Sequence, residues 1–448
     1  MRLGLAAVFA ALMMVLSGMA MADEGPKAAP TTHVTERTLA PIASPQAGFD
    51  AWKATKAYLS QVKGEARAKS DSYFEGGYVL ILVDAVYAII VSAILLWLGI
   101  SARIRDFAQR QTKSRFWQVP IYVIAYTILT IAMTFPLTVY EDFFREHAYG
   151  LSNQNFMQWF GDFGKGFGIN IIVVTIFATV LYSVIRRAPR TWWIWGTVVT
   201  IAFMLIGSAI YPVFIAPVFN QYQPLHEGAL KDRILSIARS EGIPATNVYE
   251  FDASRQTKRV SANVSGMFGT TRISMNDNLL NRCTPDEIVA VLGHEMGHYV
   301  LDHVWLLTSW FGILFFVGFA FVHWGFGILV RRYGKRWGVT TIDDPAGLPV
   351  LMALFTIFFL VATPVRNTIT RTAEAQADIF GVNAVRQPDG FAKATLMLAE
   401  YRKLEPTPLE EFVFYDHPSG RSRIYMMMRW KAEHLNDWDI KNGPKSPQ

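Results

Sequence analysis

Residues 291–298 carry an H-E-x-x-H pattern, His294-Glu295-Met296-Gly297-His298, inside an apolar-periodic segment. His294 and His298 are four residues apart, so a helix presents both imidazoles on one face. Glu295 follows one residue on, about 100° around such a helix. From there it reaches a water beside a metal without occupying a coordination position. Two ligating nitrogens and a general base are the parts of a metal-assisted hydrolase, in which the nucleophile is water and no acyl-enzyme forms. Two histidines on a solvated helix face are the plainer alternative. Gly297 and the apolar residues around the pair favour a packed helix instead.

A catalytic metal needs a third protein ligand and an open position. His303 is the nearest candidate, but nine residues beyond His294 it falls about 180° round an unbroken helix and faces away. A further glycine and histidine at 301 and 304 would mark another spacing class, and those positions hold Leu301 and Val304. Glu374 and Asp378, four residues apart in the tail, share a helix face. Glu374 suits the metal and Asp378 suits the far nitrogen of a ligating histidine. Ala375 and Ala377 allow that helix to lie close to the histidine helix. Taken alone, this segment also reads as a solvated charged face. His417 and Arg423 form a third piece: Pro418 suits a helix start, and Arg423 returns to the side of His417. The pair could steady an oxyanion, though a capped surface helix explains it equally well. The single cysteine, Cys283, excludes an intrachain disulfide and a cysteine-rich metal site.

Membrane helices must position these residues. Of the 448 residues 52% are hydrophobic and only 17% charged, against about 25% charged in a soluble domain. Apolar runs at 77–100, 117–139, 166–185, 192–219, 304–330 and 346–365 approach or exceed the roughly 20 residues that span a bilayer. Pro136, Pro212 and Pro217 sit in or at the end of runs and predict kinks or early exits. Residues 248–252 and 271–275 alternate like short strands, and 285–300 and 370–385 read as helices. The net charge of +6 gathers in short stretches between apolar runs, which suits the positive-inside rule and not a nucleic-acid face. Residues 1–22 read as a signal peptide, with Arg2 and Ala20-Met21-Ala22, or as a first transmembrane helix.

Together with Glu146-His147-Ala148-Tyr149-Gly150-Leu151, Ala216-Pro217-Val218-Phe219-Asn220 and Ser261-Ala262-Asn263, these motifs resemble the type I CAAX prenyl proteases, integral-membrane zinc endopeptidases of the gluzincin type. The match runs from about Phe49 to about Trp430. The resemblance implies a mainly α fold: a multi-pass bundle of six or seven transmembrane helices enclosing a chamber, with a small α+β zincin-like protease domain. It implies one Zn2+ per chain on His294, His298 and Glu374, with Glu295, His417 and Arg423 catalytic, Asp378 behind a ligand, and Asn263 on an edge strand that binds substrate. The expected layout is residues 1–22, a polar linker and helix at 23–72, a membrane domain at 73–225, a protease domain at 226–432 interrupted by helices at 304–330 and 346–365, and a tail at 433–448. The partners are a peptide or protein substrate, lipidated or membrane-associated proteins among the candidates, and the bilayer, with no nucleic acid; the sequence is silent on oligomeric state. A membrane quality-control protease of the heat-shock type and a non-catalytic scaffold or transporter with a vestigial zinc site are the alternatives. The signal-like start and basic loops read as bacterial, with the protease domain on the periplasmic side of the inner membrane. Bacteria are not expected to prenylate such proteins, so the resemblance predicts the machinery and not the natural substrate.

Overall fold

The computed structural model describes residues 48–266 and 271–442. The alternatives weighed for residues 1–22, the linker as far as residue 47, and residues 443–448 of the tail lie outside these residues. Among the described residues five helices are long and apolar enough to cross a membrane: Gly64–Trp97, Arg115–Ala148, Phe156–Arg187, Trp192–Phe219 and His303–Trp337. A bent pair, Pro345–Val361 and Thr363–Val385, at 59° to each other, makes a sixth if it is one broken span and not a re-entrant loop. All six apolar runs of the sequence thus become helices, and their outward side chains, such as Leu82, Ile90, Ile172 and Val198, are exposed as lipid-facing residues must be. The bend falls where Pro364 occupies the start of the second helix, the position at which a missing N–H costs least. Pro136 and Pro212 do not break their helices. A π-helical turn, Tyr140–Arg145, follows Pro136, and another, Tyr211–Ile215, contains Pro212 in its first positions.

The protease region carries a four-stranded sheet of order β1-β2-β4-β3, formed by Tyr222–Pro224, Val248–Phe251, Ala262–Ser265 and Arg272–Asn276. β2 and β4 run parallel, and the outer strands pair antiparallel to them. β2 and β4 are the two strands legible from alternation. β1 is three residues long, too short to alternate, and β3 ends the sheet as an edge.

The helix bearing the histidines is Pro285–Val300. It opens with Pro285 in the first turn, and Thr284 donates its backbone N–H to Glu287 Oε2 at 3.0 Å. It does not run on through residue 303. Asp302 adopts φ 54°, and a new helix starts at His303. Aspartate tolerates this left-handed conformation better than most residues. The break overturns the premise that sent His303 to the far side of the site.

The histidine helix crosses Thr363–Val385 at close range. A Cβ on Gly297 would meet Ala377 Cα and O at 3.0 Å, and one on Gly381 would meet the His294 backbone N at 2.8 Å. Small residues on both partners, Gly293 and Gly297 against Ala377 and Gly381, let the backbones approach. Ala377 is fully buried in this crossing. Ala375, also expected there, is only half-buried.

Candidate active site

The crossing brings His294, His298 and Glu374 together, their ligand atoms all within 4.8 Å of one another. His294 Nε2 is 3.1 Å from His298 Nε2 and 3.1 Å from Glu374 Oε2, and His298 Nε2 is 3.5 Å from Glu374 Oε1. Glu374 Oε2 is buried and accepts no hydrogen bond, although His417 Nε2 also lies within 3.2 Å. A buried carboxylate oxygen without a hydrogen-bond partner, ringed by imidazole nitrogens, is an arrangement that a cation would satisfy. The residues present therefore fit a metal.

The surrounding groups hold these side chains from behind. Asp378, fully buried, accepts from His294 Nδ1 at 2.6 Å. Arg423 grips the same carboxylate with Nε at 2.8 Å and Nη2 at 2.6 Å. Both atoms are thus spent on Asp378, which differs from a role directly on the reacting carbonyl. Arg423 comes from Gly420–Glu433, whose N-cap Ser419 accepts from the Ser422 N–H. His417 Nδ1 donates to Asp416 Oδ1 at 2.8 Å, a partner not singled out in the sequence. Asp416 is exposed at the surface, and His417 beside it holds its carboxyl well below the usual carboxylate range.

Glu295 faces a cavity of about 270 Å³, shared with His294, His417, Arg423 and Val260–Ala262 at the start of β3. Burial pushes its carboxyl above the ordinary value, against the pull of His294 and His298, which suits a group that must take up a proton. A second cavity of about 700 Å³ continues past Arg402, Tyr401 and Ser261 to Tyr73 and Arg145 on the first two long apolar helices. Asn263 lies on β3 opposite Ser274, one residue beyond the cavity wall, with its side-chain oxygen accepting from Ser265 Oγ at 2.9 Å. Glu146, in the early motif, ties the two regions: Arg259 bonds it at 2.8 Å and Tyr73 Oη at 2.6 Å.

His303 is the residue the sequence reading discarded. Its Nδ1 is 2.8 Å from His298 Nδ1, and its Nε2 is 3.1 Å from Gln376 Oε1. No sequence signal announced the break at Asp302 that turns it inward.

Residues 224–431 match the model of peptidase family M48, and residues 53–221 match that of the CAAX prenyl protease N-terminal region, five membrane helices. The chain is 30% identical over 305 residues to a CAAX prenyl protease 1 homolog of Arabidopsis thaliana, covering 64% of this chain and 68% of that one. It is 29% identical over 333 residues to the uncharacterized metalloprotease YhfN of Bacillus subtilis, covering 74% and 78%. Its fold is that of the crystal structure of S. mikatae Ste24p, with a TM-score of 0.63 over 94% of this chain and 97% of the other at 20% identity. The matched N-terminal membrane region leaves the heat-shock and scaffold alternatives without support. The chain belongs to peptidase family M48, as a multi-pass membrane metalloprotease related to the CAAX prenyl proteases.

Proposed function

We propose that the chain is a zinc-dependent endopeptidase, that His294, His298 and Glu374 hold the zinc, and that Glu295 is the general base. The observation that carries this reading is the convergence of three ligand atoms beside Glu295 on one cavity. Their spacing supports zinc: tetrahedral bonds of about 2.0–2.1 Å separate neighbouring ligand atoms by roughly 3.3 Å, and the separations here are 3.1, 3.1 and 3.5 Å. When bound, zinc acidifies a water and polarises the scissile carbonyl.

Glu295 accepts the proton of the attacking water and delivers it to the leaving amine. His417, oriented by Asp416, offers Nε2 to the carbonyl oxygen as its charge develops. Arg423 fixes Asp378, and Asp378 fixes the His294 ring. An extended peptide adds to the free edge of β3 beside Asn263, which brings its backbone along the cavity wall. The substrate is a peptide or protein; the second cavity, beside the first two long apolar helices, supports membrane-associated or lipidated chains as candidates. The basic connecting loops support an inner-membrane protein with its active site in the periplasm.

Glu295→Gln tests the mechanism. The variant should keep stoichiometric zinc by elemental analysis and lose at least about 10³-fold in peptidase turnover. Near-normal turnover would sink the assignment. The same variant, expressed in the native host, should retain bound substrate for identification.

A further inference from the structure

The two ligating histidines are held by different chemistry. His294 rests on a carboxylate, Asp378, which brings Arg423 with it as counter-ion. His298 rests on another imidazole, His303 Nδ1, at 2.8 Å. The direction of that bond follows from the site. His298 Nε2 is the atom that faces His294 Nε2 and Glu374. A neutral imidazole that ligates through Nε2 carries its one proton on Nδ1. His298 Nδ1 therefore donates, and His303 Nδ1 must accept. The remaining proton of His303 sits on Nε2, where Gln376 Oε1 accepts it at 3.1 Å. His303 is only 1% exposed, so water does not substitute for it as acceptor.

We infer that His303 is a positioning residue for the metal ligand His298, and that Gln376 fixes the His303 tautomer. This rests on the reading of His294, His298 and Glu374 as ligands. The device depends on the backbone. Asp302 at φ 54° ends the histidine helix, and His303 opens the membrane-spanning helix His303–Trp337 with its ring turned back. Gln376 stands two residues from Glu374 on the third helix. One relay of side chains thus joins the histidine helix, a membrane span and the glutamate helix. An imidazole acceptor does this without a second buried anion, which would need its own cation.

Two near-isosteres separate positioning from packing. The Asn oxygen overlies imidazole Nδ1, so His303→Asn keeps an acceptor for His298. The Gln amide overlies Nε2, so His303→Gln keeps contact with Gln376 and removes that acceptor. Full-length protein in detergent, stripped of metal, is titrated with zinc against a chromophoric chelator, with the apparent Tm of each stripped form recorded. His303→Gln should weaken zinc binding about 10–100-fold, and His303→Asn should stay within a few-fold of wild type. Gln376→Leu, at an exposed position, should weaken binding by less than His303→Gln. Equal losses in His303→Asn and His303→Gln would mean packing only and overturn the proposal. If His303→Gln does not fold, Gln376→Leu decides, and wild-type affinity there overturns it. His298→Ala and Glu374→Ala calibrate the site: wild-type affinity in both would remove the ligand reading itself, whereas their loss beside an unaffected His303→Gln would remove only the role of His303.

Discussion

Arg423 shows how far single residues can be read. Its spacing from His417 suggested the candidate site, whose cavity it lines, but spacing could not say which carboxylate would claim its guanidinium. With Nε and Nη2 on fully buried Asp378, Arg423→Ala leaves an uncompensated buried charge. Breaking such a pair costs on the order of 3–5 kcal/mol. The variant should lose thermal stability and zinc affinity together; a drop in kcat alone, with both unchanged, would return Arg423 to the oxyanion. His294 yields a second test. Burial disfavours its cation, but Asp378 and Glu374 outweigh burial and push the metal-stripped ring up to about 10 from 6.5. A raised folded pKa contributes stability that is full below about pH 6.5 and is lost as pH rises through about 10. The apparent Tm of stripped protein should therefore fall across that window from this group. Zinc uptake at pH 7.5 should release about one proton from His294, measured by calorimetry in buffers of different ionisation enthalpy. No buffer dependence would contradict it. His294, His298, Glu374 and Asp378 were legible because each pair repeats at four residues within one helix. His303 and Gln376 were not, since their meeting depends on a helix break and on a side chain at the flank of its helix.

The elements were legible where one period ran for many residues. All six apolar runs became helices, and Pro285–Val300 matches its expected bounds. β1 carries too few residues to show alternation, and β3, as long as β2, was expected only through family resemblance. The closeness of the helix crossing was half legible: Ala377 takes part, but Gly293, Gly297 and Gly381 do more. Gly381 is the sharpest test of that crossing, because an added Cβ meets backbone at 2.8 Å and no side chain can rotate away. Gly381→Ala should cost about 1–3 kcal/mol through overpacking. It should also lower zinc affinity, since the helix carrying Glu374 and Asp378 must move from the one carrying His294. A variant with wild-type Tm and zinc affinity would show that the crossing has slack.

At the scale of the molecule, the charged loops sort to opposite ends. Arg105 pairs with Asp344 at 2.7 Å, Arg115 with Asp343 at 3.4 Å, and Arg186 donates to the Arg115 carbonyl. The connections after the first, third and fifth spans therefore meet at one end, and Arg336 lies over Trp97 there. The connection after the second span goes to the other end, where Asn153 donates to Gln256 O and Lys258 to Leu151 O, against the protease region. Lys and Arg in short loops mark the cytoplasmic side of a bilayer. Alternate loops carry opposite charge, and the packing joins the three basic ones into a single pole. Their aspartate partners leave most of the basic charge uncancelled: Arg103, Arg110, Lys113, Arg187, Arg190, Arg331, Arg332 and Lys335 remain in those stretches. Under the proposed orientation the protease region faces the periplasm, and substrate is cleaved there. A reporter fused after Pro447 tests this in cells. Alkaline phosphatase should be active at that position and a green fluorescent reporter dark. A bright fluorescent fusion with inactive phosphatase would invert the topology and place proteolysis in the cytoplasm.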